Sequence, residues 1–265
     1  MKPFYSHRNI RQCLGDGISL FSDNFRSILR MLWPVVLVCS LLTVGLIWLS
    51  LLQMEWTLSN PSLHIAAIVA AVVLSLIVEC IFITHVYTIV KLHASAYELP
   101  QVKTLFFYSV AGKLMKRSFG WYALFTPFVC VLNIIAAIIT LPVMPALILS
   151  EKSFWSAVRY GLRLSFRNIW REIGMFLLLC LSVGILLVLL LAPAIASVLM
   201  IQAAEASRMA GDVATAMSLS QGLMISAMMF VSAAVTLFFQ TIYYFPIAYF
   251  YSSILVKYEK ELADS

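Results

Sequence analysis

Charged side chains are scarce in this sequence, and the scarcity limits what kind of protein it can be. Only 11% of the 265 residues carry a formal charge, whereas soluble domains have about 25%. Apolar residues make up 62% of the chain, and the mean hydropathy is +0.96. A water-soluble globule of this composition would present a largely uncharged, adhesive surface. The composition therefore excludes a disordered chain or a coiled coil and favours an all-α, polytopic membrane protein.

Paired cysteines and catalytic motifs are also missing. The five cysteines are Cys13, Cys39, Cys80, Cys130 and Cys180. Four of them lie in apolar runs and none forms a CxxC pair, which indicates small buried thiols and not a disulfide scaffold or a zinc site. The sequence has no P-loop, no HExxH and no GxSxG. We therefore expect no catalytic residue, no metal and no cofactor, and an intramembrane enzyme is the least favoured class.

Long charge-poor runs predict where the chain crosses a membrane. A spanning helix needs about 20 mostly apolar residues. The first run follows 31 residues that include five basic side chains, which indicates a retained helix and not a cleaved signal peptide. The predicted spans lie near residues 32–54, 63–90, 119–133, 134–150, 173–200 and 222–250.

The positions of the basic residues favour two spans within 119–150. As one helix, this uncharged run of 32 residues would be about 48 Å long, against a hydrocarbon core of about 30 Å. Basic residues concentrate in cytoplasmic loops. If the run is a hairpin, 17 of the 18 Lys and Arg residues face the cytoplasm, whereas one crossing divides them 11 to 7. We therefore expect six spans with both termini cytoplasmic, and a shallow re-entrant pair satisfies the charge rule equally.

Three amphipathic segments precede the three expected hairpins, near residues 16–30, 99–117 and 151–171. The first and third share a local pattern. Gly17-x-x-Leu20 is followed by Phe25-Arg26-x-Ile28, and Gly161-x-x-Leu164 is followed by Phe166-Arg167-x-Ile169. This recurrence predicts three repeats of an amphipathic helix plus a transmembrane hairpin, all within a single membrane domain over residues 1–265.

The third amphipathic segment carries the clearest candidate binding surface. At 100° per residue, one helical face gathers five apolar residues, namely Trp155, Val158, Leu162, Phe166 and Ile169. A basic stripe beside it contains Arg159, Arg163, Arg167 and Arg171. An apolar face flanked by arginines is typical of the membrane interface, where the guanidinium groups reach lipid phosphates. The competing interpretation is a cytoplasmic helix whose arginines are solvated or paired with Glu172.

A net charge of +6 does not indicate a nucleic-acid partner, because the positive charges lie beside membrane spans and leave no compact basic domain. Inside the predicted spans, Glu79, His85 and Asn133 form a candidate polar site. An ionisable residue within a membrane is a functional hypothesis by default. However, Glu79 and His85 are six residues apart, which separates them by about 240° around a helix.

Two stretches resemble a known family. One runs from Leu141-Pro142-Val143 through Glu151 to Phe154-Trp155, Gly161-Leu162 and Asn168-x-Trp170-Arg171; the other is Pro246-Ile247-Ala248-Tyr249 followed by Tyr258-Glu259-Lys260-Glu261. They resemble the membrane domain of bacterial glycerophosphoryl diester phosphodiesterases and of related stand-alone bacterial proteins. The resemblance implies six spans with repeated amphipathic helices. The catalytic barrel is absent, since it would need about 250 residues of its own.

Two functions compete on these observations. The first is a non-catalytic module of the bacterial inner membrane that binds anionic lipid, a membrane-protein partner or a second copy of itself, with a role in envelope maintenance. The second is a small transporter with a binding site near Glu79 and the proline-broken helices. A proton- or cation-coupled carrier usually has more than one ionisable group inside its spans, and the first function is therefore favoured.

Overall fold

The described part of the protein is built from helices. A computed structural model describes residues 4–56, 61–140, 142–150, 152–209 and 219–263, and it describes the side chains of 4–48, 65–66, 69–123, 142–150, 152–204, 206–207 and 220–260. The α-helices are α1 (Ile10–Asp23), α2 (Phe25–Trp56), α3 (Pro61–Ala94), α4 (Thr104–Thr140), α5 (Val143–Leu149), α6 (Phe154–Leu179), α7 (Ile185–Met209) and α8 (Leu219–Ala263). A 3₁₀ turn covers Leu99–Gln101, and a π-helical turn, Cys180–Gly184, joins α6 to α7.

Among the residues whose side chains are described, four helical stretches are long enough and apolar enough to cross a membrane. They are Phe25–Trp48, Val69–Ala94, Phe154–Ala204 and Ser220–Lys260. The third contains 51 residues and would be about 76 Å long as a straight helix, more than twice the hydrocarbon thickness. This stretch is kinked at Asn168, and its charged residues all lie in its N-terminal part, between Arg159 and Glu172, which is the part suited to water and headgroups.

The structure does not divide residues 119–150 into the two spans expected near 119–133 and 134–150. Helix α4 is continuous from Thr104 to Thr140, so the amphipathic segment near 99–117 runs directly into it and no break occurs at 133/134. The break comes just before Pro142, because proline disfavours helical geometry in the residue that precedes it. Helix α5 then has seven residues, or about 10 Å, and is too short to cross a membrane.

Three segments form the centre of the structure, and every residue in each is buried. They are residues 82–90 of α3, 142–148 at α5 and 245–254 of α8. The amphipathic segments pack around them: α4 packs on α3, α6 packs on α5, and α1 packs on α8. The last contact joins the first helix of the chain to the last, so the arrangement closes into a ring.

Two glycines allow the outer helices to approach the central ones closely. A Cβ atom on Gly17 would lie 2.5 Å from the backbone nitrogen of Pro246, and one on Gly161 would lie 2.8 Å from the Cα of Val143. Both neighbours are backbone atoms that cannot move aside. The Gly-x-x-Leu pattern thus marks the places where α1 and α6 lie on the backbone of α8 and α5, with Leu20 and Leu164 buried beside them.

The chain before α1 is fastened to the end of α8. The Arg8 side chain is 1% exposed; its Nε donates to Asp16 at 2.6 Å and its Nη1 donates to the carbonyl oxygen of Phe4 at 2.7 Å. The Arg8 amide donates to the hydroxyl of Ser253 at 2.9 Å, and the Ser252 hydroxyl donates to the Phe4 carbonyl at the same distance. We call residues 4–9 the N-terminal strap.

The cysteines are thiols without disulfide partners where the structure describes them. Cys13, Cys39 and Cys80 are free and buried, as expected. Burial raises the pKa of Cys13 to about 11, so this thiol stays protonated and unreactive at neutral pH. Cys180 is free but exposed, which corrects the expectation that it is buried, because the π-helical turn places it on the outer surface of α6–α7.

The close contact at Gly17 predicts opposite effects for two alanine substitutions in α1. Gly17→Ala should lower the free energy of unfolding by about 1–3 kcal/mol, because the new methyl group overlaps the backbone of Pro246. Gly15→Ala is the matched control: its Cβ meets nothing within 4 Å, and alanine favours helix by up to about 1 kcal/mol. Thermal unfolding of the purified protein in detergent measures both, and equal midpoints would contradict the close packing.

The strap predicts that Arg8→Gln exposes the N-terminus to proteases. The substitution removes the charge-assisted bond to Asp16 and the bond to the Phe4 carbonyl, each worth about 1.5 kcal/mol or more. We expect faster cleavage within residues 4–9 under limited proteolysis, followed by mass spectrometry. Arg11→Gln removes a nearby exposed arginine in the first turn of α1 and should leave the rate at the wild-type value.

Candidate lipid interface

The outer surface of α6 carries arginines between large aromatic rings. Trp155, Phe166 and Trp170 are 68%, 63% and 82% exposed, and Arg159 and Arg163 are exposed between them. At 100° per residue Trp155, Arg159, Arg163 and Phe166 fall within about 80° of one another around the helix, and Trp170 is exposed just beyond the kink at Asn168. We call these five residues the α6 outer face. Within the described part of the chain, neither Arg159 nor Arg163 has an ion-pair partner.

The inner surface of α6 is lined by small and buried residues. Ala157, Gly161, Leu164 and Ser165 are buried and face the centre of the structure. The apolar face expected from the sequence is divided: Trp155 and Phe166 are exposed, whereas Val158, Leu162 and Ile169 are half-buried at the boundary between the two surfaces. The tryptophan–arginine side faces outward because only the glycine-bearing side fits against the backbone of α5.

The expected stripe of four arginines separates into two pairs. Arg167 lies over the ring of Tyr258, with Cζ 5.0 Å from the centroid. Arg171 lies over Phe250 at 5.7 Å, and its Nη2 donates to the carbonyl oxygen of Arg8 at 3.0 Å. Both guanidinium groups thus contact protein. Arg159 and Arg163 remain as the pair on the α6 outer face.

Helix α6 is kinked at Asn168, where the backbone leaves helical geometry. The φ and ψ of Asn168 are −121° and 21°, and its Nδ2 donates to the Leu164 carbonyl oxygen at 3.0 Å. Asn24 ends α1 with φ −115° and ψ 15° and donates likewise to Leu20 at 3.1 Å. An asparagine amide competes with the backbone for such carbonyls and interrupts helices. If Asn24 is aligned with Asn168, Phe25 is aligned with Ile169 and not with Phe166. The two Phe-Arg-x-Ile patterns therefore occupy positions that differ by three residues in the two segments.

The candidate polar site within the spans is not gathered into one place where it is described. Glu79 is exposed on α3 and interacts electrostatically with Tyr122 and Tyr244. His85 is buried, and its Nδ1 lies 2.6 Å from the carbonyl oxygen of Ile81. Its ring contacts Phe107 and Tyr108, in surroundings different from those of Glu79. Asn133 lies in α4, and its side chain is outside the described residues.

Sequence reasoning missed two fully buried charged residues. Glu172 is 0% exposed; the Ser165 hydroxyl donates to its Oε2, and its Oε1 has no partner among the described residues. Helical periodicity in the sequence could have revealed that Glu172 is buried, since on an ideal helix it lies about 20° from both Gly161 and Ser165. Arg8, the other, lies outside any helix, where periodicity carries no signal.

Comparison with protein-family models, curated proteins and solved structures finds no match to this chain. The resemblance to the phosphodiesterase membrane domain therefore stays a prediction, and the function is argued from the chain's own geometry.

Proposed function

We propose that this protein is a non-catalytic integral module of the bacterial inner membrane that binds anionic lipid headgroups through the α6 outer face. The observation that supports this proposal is the alternation of exposed tryptophan and phenylalanine rings with two arginines that have no ion-pair partner in the described chain. Tryptophan is enriched where hydrocarbon meets headgroups, and arginine binds phosphate with two hydrogen bonds. A helix with both on one side is suited to lie at that boundary.

The expected strength of this binding follows from the number of available arginines. A basic residue beside an anionic leaflet contributes about 1 kcal/mol. Because Arg167 and Arg171 contact α8, the α6 outer face supplies two charges instead of four. The resulting attraction of about 2 kcal/mol is modest and reversible, which suits recruitment of anionic lipid to the protein surface more than tight capture of one molecule.

The proposal includes three repeats and cytoplasmic termini. Because α5 is too short to cross a membrane, residues 119–150 form a re-entrant pair in this proposal instead of two full spans. Supporting the repeats, Asn24, Ser118 and Asn168 each donate a side-chain hydrogen bond to the carbonyl of a leucine four residues earlier. Each of the three segments also contains four buried residues whose sequence spacing is the same, namely four, three and eight positions. The three sets are Cys13, Gly17, Leu20 and Ile28; Phe107, Ala111, Leu114 and Tyr122; and Ala157, Gly161, Leu164 and Glu172. The bond between Phe4 and Ser252 supports termini on one side of the membrane.

Two alternatives to lipid binding, namely transport and association with another protein chain, remain predictions. Glu79, exposed on α3 beside two tyrosines, is the residue on which a transporter would depend. A membrane-protein partner or a second copy of the chain would need an apolar surface, and α7 exposes many aliphatic side chains. Lipid chains cover such a surface equally well, so the α6 outer face carries the proposed function.

The lipid proposal predicts a charge-dependent loss in the double variant Arg159→Gln/Arg163→Gln. Removing both charges should weaken retention of phosphatidylglycerol by the full-length protein by roughly 2 kcal/mol, or about 30-fold. Native mass spectrometry of the detergent-solubilised protein measures the retained lipid. Arg159→Lys/Arg163→Lys keeps the charges and should retain most of the binding. Unchanged retention in the glutamine variant would refute the proposed role of the α6 outer face.

The topology proposal predicts the outcome of reporter fusions. A reporter that is active only in the cytoplasm should give a signal when fused before residue 1, after residue 265 and in the loop that contains Lys152. A reporter that is active only in the periplasm should give a signal between α2 and α3 and between α7 and α8. A periplasmic signal at either terminus would contradict the proposed orientation.

A further inference from the structure

A second site lies away from the α6 outer face. A pocket of about 330 Å³ lies between the N-terminal strap, the residues that follow α5 and the last turns of α8. Its size is at the small end of the range for ligand pockets, about 300–1,000 Å³. Six polar side chains line it, namely Tyr5, Ser150, Lys152, Tyr160, Tyr251 and Glu259. Tyr160 belongs to α6, but it lies about 100° around that helix from the centre of the α6 outer face.

Tyr251 is the observation that points to a ligand. Its side chain is 1% exposed, and its hydroxyl has no hydrogen-bond partner among the described residues. Native structures rarely leave a buried hydroxyl unpaired. The groups with which this hydroxyl interacts electrostatically are Tyr160, Tyr5 and Glu259, and all three line the pocket. Tyr251 itself lines the pocket, so a molecule bound there can accept a hydrogen bond from this hydroxyl.

The other groups of the pocket define its charge. Burial, and then the Glu259 carboxylate, raise the pKa of Tyr5, so its hydroxyl also remains a donor at neutral pH. Lys152 extends over Tyr160, with Nζ 3.6 Å from the ring centroid. Among the described residues, the pocket thus presents phenolic donors and the ammonium group of Lys152 together with one carboxylate, Glu259, which is exposed and has no ion-pair partner there.

These groups suit a ligand that carries charges of both signs. A simple anion would meet Lys152 and the hydroxyls but would be repelled by Glu259, and a simple cation would leave the donors unpaired. We propose that the pocket binds a phosphoethanolamine group, with its phosphate on Lys152 and the tyrosine hydroxyls and its ammonium on Glu259. Leu255 and Val256 complete the wall and contact the two methylene carbons.

The same chemical group occurs in a free metabolite and in the headgroup of phosphatidylethanolamine, and the experiment separates the two sources. Calorimetric titrations use the full-length protein in a non-ionic detergent. O-phosphoethanolamine and glycerophosphoethanolamine should bind, whereas ethanolamine and inorganic phosphate should bind at least tenfold more weakly. In a second arm, nanodiscs containing phosphatidylethanolamine should stabilise the protein more than matched phosphatidylcholine discs if the group comes from the lipid. If stabilisation is equal, the ligand is the free compound.

Three variants test the residues. Tyr251→Phe removes only the hydroxyl and should weaken phosphoethanolamine binding by about tenfold, as expected for one hydrogen bond to a charged group. Glu259→Gln changes an exposed side chain, does not threaten folding, and should abolish the preference for phosphoethanolamine over phosphate. Tyr258→Phe is the matched control: it lies on the same helix, does not line the pocket, and should bind as the wild type does.

Three results would overturn the assignment. They are an absence of saturable binding in both arms, equal affinity for inorganic phosphate and phosphoethanolamine, and wild-type affinity in Tyr251→Phe. The soluble titrations contain no anionic lipid and leave Arg159 and Arg163 intact. Failure here is therefore distinguishable from failure of the lipid interface on α6.

Discussion

The outer helices lie directly on the backbone of the central ones, and the rest of the structure depends on this closeness. Gly17 against Pro246 and Gly161 against Val143 leave no room for a side chain. At these two points the inner surfaces of α1 and α6 carry no side chain, and the aromatic and basic residues of the α6 outer face are left on the side away from the protein. Trp155 and Trp170 are exposed because the opposite side of α6 is the one that packs against the backbone of α5.

The few charges of the chain are used in two different ways. Most basic side chains lie on surfaces, but Arg8 and Glu172 are enclosed, and each sits where the outer helices meet the centre. Arg8 is paired and hydrogen-bonded, as enclosed charges must be. Glu172 has one oxygen bonded and one without a partner among the described residues, so it is the less completely satisfied of the two.

Composition and periodicity predicted the helical, membrane-suited character of the chain and the amphipathic nature of α6, because both depend on local residue types. They did not reveal which side of α6 faces the protein, since periodicity identifies residues that share a face without saying what that face contacts. The division of the arginine stripe depends on Tyr258 and Phe250, which are remote in sequence. The end of α4 was expected at 133/134, yet Pro142 carries the local signal for it.

Closure of the ring has a consequence for how the protein is made. Helix α1 and the N-terminal strap leave the ribosome long before their binding surface on α8, which includes Pro246 and Ser252. During translation the inner surface of α1, with Cys13 and Leu20, stays without its native partner until almost the whole chain has emerged. A chain that terminates early would keep this surface uncovered. The contact between α1 and α8 can therefore form only after Ser252 has been synthesised, so this part of the fold is completed after translation of α8 and not during it.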